Sequence, residues 1–509
     1  MLSGFPRISP PRALGLLAWA VFATTAALAT ADPLVAIRRL PANNPYRAPL
    51  EKLLSLPEAD RDLLQTWAQK PEDGQAPPSL TEEQRAWVAD LGANLLAAAH
   101  QPQAAEWPLV PDPADPDNPM AIGVPHIGAV LQLAKIVNHS AESLPPGAAI
   151  EHYAAVAQLG RQMRAGGTLI EQLVGVAAEG LATADVSRRL GGFSKADLDQ
   201  LTAAWSGLRP APGLDQVLRR ERDLFFLPLV EKVIRPGLAA LIAEENELAG
   251  VSAPRAADDG VSAFRLTAII NDGQRMIGLE NRSAGTSFFV QEGKTVNDVT
   301  VLSIDFDRKR AMLRVCGKDA VLDLVSRRIV ERTQAASRLL RLLKTAQGVS
   351  SNESSQAEQV IADLVKRARA HPEGVDGCLR DLLADHDAGL AAVLLRAEHP
   401  AFEARPARTA DESPLLMLTF PALDTVARRL TQAELTTTML GAAADVRRRQ
   451  LDGERSPVPA ADPWAKKGEG LTLVPANDGG FTLRSIYENH SGKPTEYKYA
   501  APDAGLVRR

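Results

Sequence analysis

The stretch from Phe264 to Leu324 changes from helical to strand periodicity inside a chain that otherwise has the pattern of helices. Short runs of alternating apolar and polar residues are separated by Gly-containing segments, such as Asn271-Asp272-Gly273 and Glu292-Gly293. The runs fit strands with one buried face, and the Gly-containing segments fit tight turns. Five or six short strands within about sixty residues predict a small antiparallel sandwich or open barrel.

The rest of the chain sets the fold class. Its 509 residues exceed one ordinary hydrophobic core, and abundant Ala and Leu favour helix. We predict a mainly α protein, a helical bundle or helical-hairpin stack, with an inserted small antiparallel β domain and a short C-terminal β meander. The predicted regions are a signal peptide or anchor at 1–31, a Pro-rich and partly helical region at 32–121, a helical domain at 122–248, the β domain at 263–325, a helical region at 326–456 with a flexible segment at 348–356, and a short β-containing segment at 457–509.

The N-terminus has the pattern of a secretory signal. Arg7 and Arg12 precede an apolar run from Ala13 to Leu28, and small residues follow in the order Ala-Leu-Ala-Thr-Ala. The alternative is an anchor that is not cleaved, because the run is nearly long enough to span a bilayer. Both interpretations predict an exported protein that is periplasmic or anchored in a membrane and facing the periplasm.

Charge and cysteine content narrow the partner classes. The net charge of -5 and the 5% aromatic content argue against a nucleic-acid partner, which requires a basic face and stacking platforms. Cys316 and Cys378 lie in different predicted elements, so we expect two thiols rather than a disulfide.

A basic amphipathic pattern at 326–344 predicts a helix that packs on its own domain. Contact with an anionic membrane is the alternative for this helix and for the N-terminal segment.

The helical domain carries a predicted cap and four candidate buried polar residues. Thr168 and Glu171 form a capping box. The helix that follows has an apolar stripe consisting of Ile170, Leu173, Val174, Ala177, Ala178 and Leu181. Glu171, Glu179, Glu221 and Arg222 fall on or near apolar faces, and we interpret them as buried ion pairs, for example Glu179 with Arg222. The alternative is an acid/base role for the carboxylates.

Local signatures of catalysis, cofactor binding and metal binding are absent from the sequence. The eight histidines do not form a helical zinc motif, and there is no nucleophile elbow, phosphate loop or dinucleotide fingerprint. Asp112, Asp115 and Asp117 lack the spacing of a calcium loop, so we interpret their segment as a solvated connector. We therefore predict no catalytic residue, no cofactor and no metal.

The residues of the β stretch resemble a known module. The matching segments are Leu266–Ile269, Gly273–Gln274, Ser287–Gly293, Val299–Val301, Ile304, Leu313–Gly317 and Leu322–Leu324. Their order resembles the periplasmic homology-region domain of type II secretion coupling proteins and of pilus-assembly lipoproteins. The resemblance implies a compact β-fold that docks on an outer-membrane secretin.

Two weaker resemblances concern the remaining regions. A long helix followed by Asp462-Pro463-Trp464 and short strands resembles the C-terminal region of major pseudopilins, although their acidic calcium loop is missing. Residues 145–250, including the stretch from Gln172 to Glu179, resemble a group of exported bacterial proteins with a helical body.

These observations favour a cell-envelope scaffold or adaptor that binds a protein partner of a secretion- or pilus-like apparatus through the β domain. An exposed edge strand is the expected contact. The candidate partner-binding residues are Ser287, Phe288, Phe289, Val290, Leu313 and Val315. The alternatives are an extracytoplasmic hydrolase that uses Glu171 and Glu179, and a helical domain that holds a small apolar or peptide ligand.

Overall fold

The computed structural model describes residues 32–69, 78–107, 109–111, 122–166, 168–251, 263–271, 273–281, 284–308, 310–324, 335–339, 354–398, 414–454, 462, 470–476, 480–488 and 494–499. The predicted leader, the aspartates of the connector and most of the basic segment at 326–344 lie outside these residues. Residues 335–339 of that segment are helical, and Ala336 and Leu339 are buried.

Helices make up most of the described chain. In order they are α1 (Pro33–Arg38), α2 (Arg47–Ser55), α3 (Glu58–Trp67), α4 (Glu82–Ala99), α5 (His126–Ser140), α6 (Pro146–Arg164), α7 (Leu169–Arg189), α8 (Lys195–Ser206), α9 (Leu214–Glu221), α10 (Leu227–Leu229), α11 (Arg235–Val251), α12 (Ser354–Ala370), α13 (Gly374–Glu398) and α14 (Pro414–Leu451). The predicted capping box at Thr168 is confirmed, and further capping boxes join Thr81 with Gln84 and Ser194 with Asp197.

All strand pairs are antiparallel. The strands are β1 (Val110–Pro111), β2 (Ile122–Gly123), β3 (Phe264–Asn271), β4 (Arg275–Asn281), β5 (Thr286–Gln291), β6 (Thr295–Val296), β7 (Val299–Asp305), β8 (Arg310–Val315), β9 (Lys318–Asp323), β10 (Thr472–Pro475), β11 (Phe481–Glu488) and β12 (Pro494–Tyr499). The predicted fold class is therefore confirmed: a mainly α protein with an inserted β domain and a C-terminal β meander.

The chain divides into two compact units. The helical unit comprises Met1–Val230, Ala346–Gly348 and Arg380–Arg509, and the β unit comprises Glu231–Thr345 and Val349–Leu379. One hydrophobic core runs through the helical unit and takes residues from its N-terminal, central and C-terminal parts, including Leu50, Leu133, Ala178, Leu440 and Tyr487. The N-terminal region and the C-terminal meander therefore belong to the same core as the central helices.

Helices α6 and α7 form the centre of the helical unit and approach each other at two glycines. A Cβ atom on Gly160 would lie 2.6 Å from the carbonyl oxygen of Gly175, and a Cβ on Gly175 would collide with the carbonyl oxygen of Gly160. These short distances mean that the two backbones are in direct contact, and a side chain at either position would separate them.

The buried side of α7 differs from the predicted stripe. Val174 and Ala178 are buried as predicted, but Ile170, Leu173 and Leu181 are half-buried and Ala177 is exposed. The buried face instead contains small and polar residues, namely Glu171, Gln172, Gly175, Glu179, Ala182, Thr183, Asp185 and Val186. The prediction was wrong because it assumed a purely apolar contact, whereas α6 offers glycine and arginine to this face.

Two wide turns interrupt the helical stretch from Leu214 to Val251. Residues Arg222–Phe226 and Val230–Ile234 form π-helical turns, and each is followed two residues later by a proline, Pro228 or Pro236. Proline has no N–H to donate, and its ring clashes with the carbonyl four residues before it. A π turn lets the helix continue past that position.

The β unit contains a sandwich. Strands β3-β4-β5 form one sheet and β6-β7-β8-β9 the other, and both contribute to one core that includes Leu266, Leu279, Val301 and Leu313. Two-residue turns at Asn297-Asp298 and Cys316-Gly317 have positive φ at both positions, with values of 48°, 62°, 50° and 81°. These are the hairpin turns that match strand twist, which explains the short spacing of the strands.

The C-terminal meander packs on the middle of α14. Its sheet has the order β10-β11-β12, and the inward-facing side chains Phe481, Leu483 and Tyr499 join the core of the helical unit. The Tyr497 hydroxyl bonds to the Thr436 hydroxyl on α14, and Asp462 accepts a hydrogen bond from the backbone N–H of Ile486 at 2.9 Å.

We expect Gly175→Ala to lower the free energy of unfolding by about 1–3 kcal/mol, because α6 must move away from α7 to make room for the methyl group. Gly180→Ala, on the same helix with no atom within 4 Å of the added carbon, should be neutral or stabilising by up to about 1 kcal/mol. Urea unfolding followed by circular dichroism measures both. Equal effects of the two substitutions would contradict the close contact.

Candidate functional site

The sandwich offers one long exposed edge at β5. All six residues of β5 pair with β4, from Thr286 opposite Asn281 to Gln291 opposite Met276, without a register shift. Among the described residues β5 has no second neighbour in its sheet. Over Thr286–Val290 no described strand pairs with the outer edge, which is the arrangement that accepts an added strand, whereas the Gln291 carbonyl accepts from the backbone N–H of Lys294 at 2.9 Å.

The other three edge strands carry features that discourage pairing. Strand β3 has a register shift between Leu266 and Ala268, and β6 is two residues long. Strand β9 begins with Lys318 and Asp319 and ends with Asp323. The sequence of β5, Thr-Ser-Phe-Phe-Val-Gln, has no charge, no proline and no bulge. By the known rules of edge protection, β5 is the unprotected edge of this sandwich.

Phe289 gives this edge an apolar contact point. Its side chain is 61% exposed, and its ring lies over Gly278, because a Cβ there would be 3.1 Å from Phe289 Cε1. The half-buried side chains of Ala268, Ile270 and Met276 share this outer face by register. The ring therefore leans over β4, and the same face also carries Glu280, which lies opposite Ser287 and pairs with Arg265 at 3.8 Å.

The other predicted partner-binding residues of β5 divide by face. Ser287 is exposed beside Phe289, whereas Val290 is buried in the sandwich core. Phe288 is half-buried and its ring meets that of Phe264 edge-on, with centroids 6.2 Å apart. Phe288 and Val290 therefore hold the strand on its core, and Ser287 and Phe289 face outward.

The prediction of Leu313 and Val315 as edge contacts was wrong. Strand β8 lies inside its sheet, between β7 and β9, and both side chains are buried in the core. The outward side chains of this sheet include Met312 and Val321, which face each other across β8 and β9 and are 42% and 52% exposed. Alternation along β8 distinguishes its inward from its outward residues, but it does not indicate which strands lie beside β8.

In the helical unit, Glu171 lies at the start of α7 and is fully buried. One carboxylate oxygen accepts from the backbone N–H of Thr168 at 2.9 Å, and the other lies 3.0 Å from Nε2 of His126. The His126 ring stacks on Trp107 at 5.1 Å, and Trp107 stacks on Tyr46 at 5.9 Å. Sequence reasoning missed His126, because it lies 45 residues before its partner in a segment without a motif.

Glu221 and Arg222 lie next to each other in sequence but contact different residues. Glu221 accepts a hydrogen bond from the backbone N–H of Leu169 at 3.0 Å. Burial raises the pKa of its carboxyl to about 8, with a smaller increase from the charge of nearby Glu171. Arg222 is only half-buried and pairs with Asp387 and Asp223.

Glu179 forms a clamp with two arginines and a second glutamate. Arg161 Nε lies 2.7 Å from Glu179 Oε2, and Arg164 Nη1 lies 3.1 Å from Oε1. Glu434 on α14 contacts both arginines, at 3.3 Å and 2.5 Å. Burial raises the pKa of Glu179, while the two arginines oppose that increase. The predicted pairing with Arg222 is wrong, because Arg161 and Arg164 lie directly across the helix contact.

These contacts define what the carboxylates can do. Glu179 is neutralised by two buried guanidinium groups, and Glu171 caps its own helix while contacting His126. Both side chains are packed between helices, with 3% and 0% of their surface exposed. A general acid or base must reach a substrate, so this arrangement supports the structural role rather than the acid/base alternative.

Three further observations bear on partners. Among the described residues, no three His, Cys, Asp or Glu side chains come together as ligands for a metal ion. The helices of the described ranges also fall short of the length and apolarity required to cross a membrane. Cys316 is exposed and Cys378 is buried, and no disulfide joins them.

The chain matches no protein-family model, no curated protein and no solved structure.

We expect Arg164→Met to lower the free energy of unfolding by about 3–5 kcal/mol, because it leaves the buried Glu179 carboxylate with one cation instead of two. Arg219→Met is the control: Arg219 is 74% exposed and pairs with Asp215, so its loss should cost less than about 1 kcal/mol. Urea unfolding of both variants tests the difference, and similar losses would contradict the clamp.

Glu221 should make stability depend on pH. A carboxyl with a higher pKa in the folded chain binds its proton more strongly there, so its contribution is present below its ordinary pKa of 4.5 and is lost as the pH rises through about 8. Glu221→Gln stays uncharged and can still accept from Leu169. The free energy of unfolding of the unmodified protein should therefore fall more steeply over this range than that of the variant. Parallel pH profiles would contradict the assignment.

Proposed function

We propose that this protein is a cell-envelope scaffold or adaptor. The helical unit is a packed support, and the sandwich of the β unit docks on a protein partner through β5. The observation that carries the proposal is the unprotected edge of β5, a fully paired, uncharged strand with an exposed Phe289. Such an edge binds an extended segment through backbone hydrogen bonds, and the neighbouring side chains supply selectivity.

The chemistry of the edge describes the segment that fits it. No charged side chain lies within Thr286–Gln291, so a charged segment would gain no ion pair along the strand and would lose hydration. The apolar outer face beside Phe289 favours a partner segment with an apolar side chain on the same side. An uncharged extended segment with alternating apolar residues is therefore the expected occupant.

The sequence supports a location for this docking. The predicted leader at 1–31 directs the chain out of the cytoplasm, where it is periplasmic or held at a membrane. The resemblance of 263–325 to the periplasmic homology-region module supports a partner in a type II secretion- or pilus-like apparatus. Membrane contact, where it occurs, would use the N-terminal segment or the basic segment at 326–344.

The alternative hydrolase is less well supported by the contacts of its candidate residues. Glu171 and Glu179 lie within helix interfaces and are engaged by Thr168, His126, Arg161 and Arg164. A carboxylate held in this way is not positioned to reach a substrate, so the docking role has more support than the hydrolase role.

Site-specific crosslinking tests the docking edge. A photoreactive amino acid in place of Ser287, introduced in cells of the organism that makes the chain, should yield an envelope fraction containing one defined adduct with a different protein. Ser303 is the matched control, because it is an exposed serine in the other sheet, on β7 opposite Met312 of β8. Ser303 should yield no such adduct.

Two results would contradict the proposal. Equal yields of the same adduct from Ser287 and Ser303 would show that β5 is not the contact. Recovery of the chain only from the cytosolic fraction would remove the envelope setting. Mass spectrometry of the adduct identifies the partner, and adducts that contain only this chain do not count in favour of the adaptor.

A further inference from the structure

The alternation of hydrogen bonds along β5 identifies which of its backbone groups are open. The backbone N–H of Glu292 donates to the carbonyl of Arg275 at 2.8 Å, so these two residues form a hydrogen-bonded pair. Hydrogen-bonded and non-bonded pairs alternate along an antiparallel ladder, and the register between β4 and β5 has no shift. Phe288 and Val290 therefore direct their N–H and C=O groups toward β4.

The residues between them direct these groups outward. Ser287 and Phe289 each present one N–H and one C=O to the outer edge, where no described strand pairs with them. Gln291 belongs to the same set, but its carbonyl accepts from the backbone N–H of Lys294 at 2.9 Å. On the other side, Gly285 lies in the preceding turn with a φ of 62°. The open part of the edge is therefore limited to two outward residues.

We propose that β5 recognises a short extended segment of its partner through the two N–H and two C=O groups of Ser287 and Phe289. This inference rests on the proposed function, because it names the segment that the partner supplies to the same edge. In either strand direction, the two carbonyls accept from N–H groups that lie two residues apart on the segment. Proline has no N–H, so neither of these two positions can be proline.

The inward side of the edge selects a further side chain. A docked segment places one side chain beside Phe288, on the side of the sheet that faces the core. Phe288 is half-buried against that core, and its ring meets Phe264 edge-on. An apolar side chain there extends the core at its rim, whereas a charged one loses hydration. The segment class is therefore about three to five extended residues with an apolar inward side chain, a contact of transient size.

Amide hydrogen exchange of the full chain tests the open groups without the partner. The N–H groups of Phe288 and Val290 are bonded to β4, whereas those of Ser287 and Phe289 point outward. After correction for intrinsic rates, the first two should exchange at least about tenfold more slowly than the second two in residue-resolved NMR. The reverse alternation, or equal exchange at all four amides, would overturn the inference.

Proline substitution tests the recognition itself. With the photoreactive residue at 287, Phe289→Ala should keep part of the adduct, because its backbone N–H remains. Phe289→Pro should give at least about tenfold less adduct than Phe289→Ala, because it removes the outward N–H while leaving every bond to β4 in place. Circular dichroism and urea unfolding check that both variants fold alike.

The outcomes separate the inference from the adaptor proposal. Equal adduct yields from Phe289→Ala and Phe289→Pro would overturn backbone recognition, while the adduct itself would still support a partner at β5. Absence of any adduct with Phe289 unchanged would overturn the adaptor proposal, and the inference with it.

Discussion

The contact between α6 and α7 is the constraint on which the helical unit depends. Gly160 and Gly175 let the two backbones touch, and this brings Arg161 and Arg164 within reach of Glu179 on the facing helix. A larger residue at either glycine would separate the helices and lengthen every contact in the clamp. The close approach of the helices therefore makes the buried ion pairs possible, since a buried charge requires a partner at short distance.

This arrangement also ties distant parts of the chain together. Glu434 on α14 reaches both arginines, and the C-terminal meander then packs on the same helix. At the start of α7, Thr168 and Leu169 donate to Glu171 and Glu221, so the beginning of the helix is fixed by residues from two elements. Charges inside the helical unit thus specify which helices meet, a role for which a uniform apolar surface is poorly suited.

Local patterns predicted the elements well, and the reason is visible in particular residues. The capping box at Thr168, the short strands of the β domain and the C-terminal meander depend on neighbours within a few positions. Pairings across the chain were not predictable in the same way. The partner of Glu179 and the central position of β8 depend on which elements pack side by side, and periodicity does not encode this. His126 belongs to the same class, since its partner is defined only once α5 meets α7.

The two units differ in how their polar groups are used. In the helical unit, the candidate carboxylates each lie within ion-pair or hydrogen-bonding distance of a neighbouring helix, so they join elements of the fold. In the sandwich, three of the four edge strands are bent, short or charged, and the fourth is straight, uncharged and next to an exposed aromatic ring. An unprotected edge carries a risk of aggregation. The sandwich therefore protects three of its edge strands by irregularity, length or charge, and β5 by none of these.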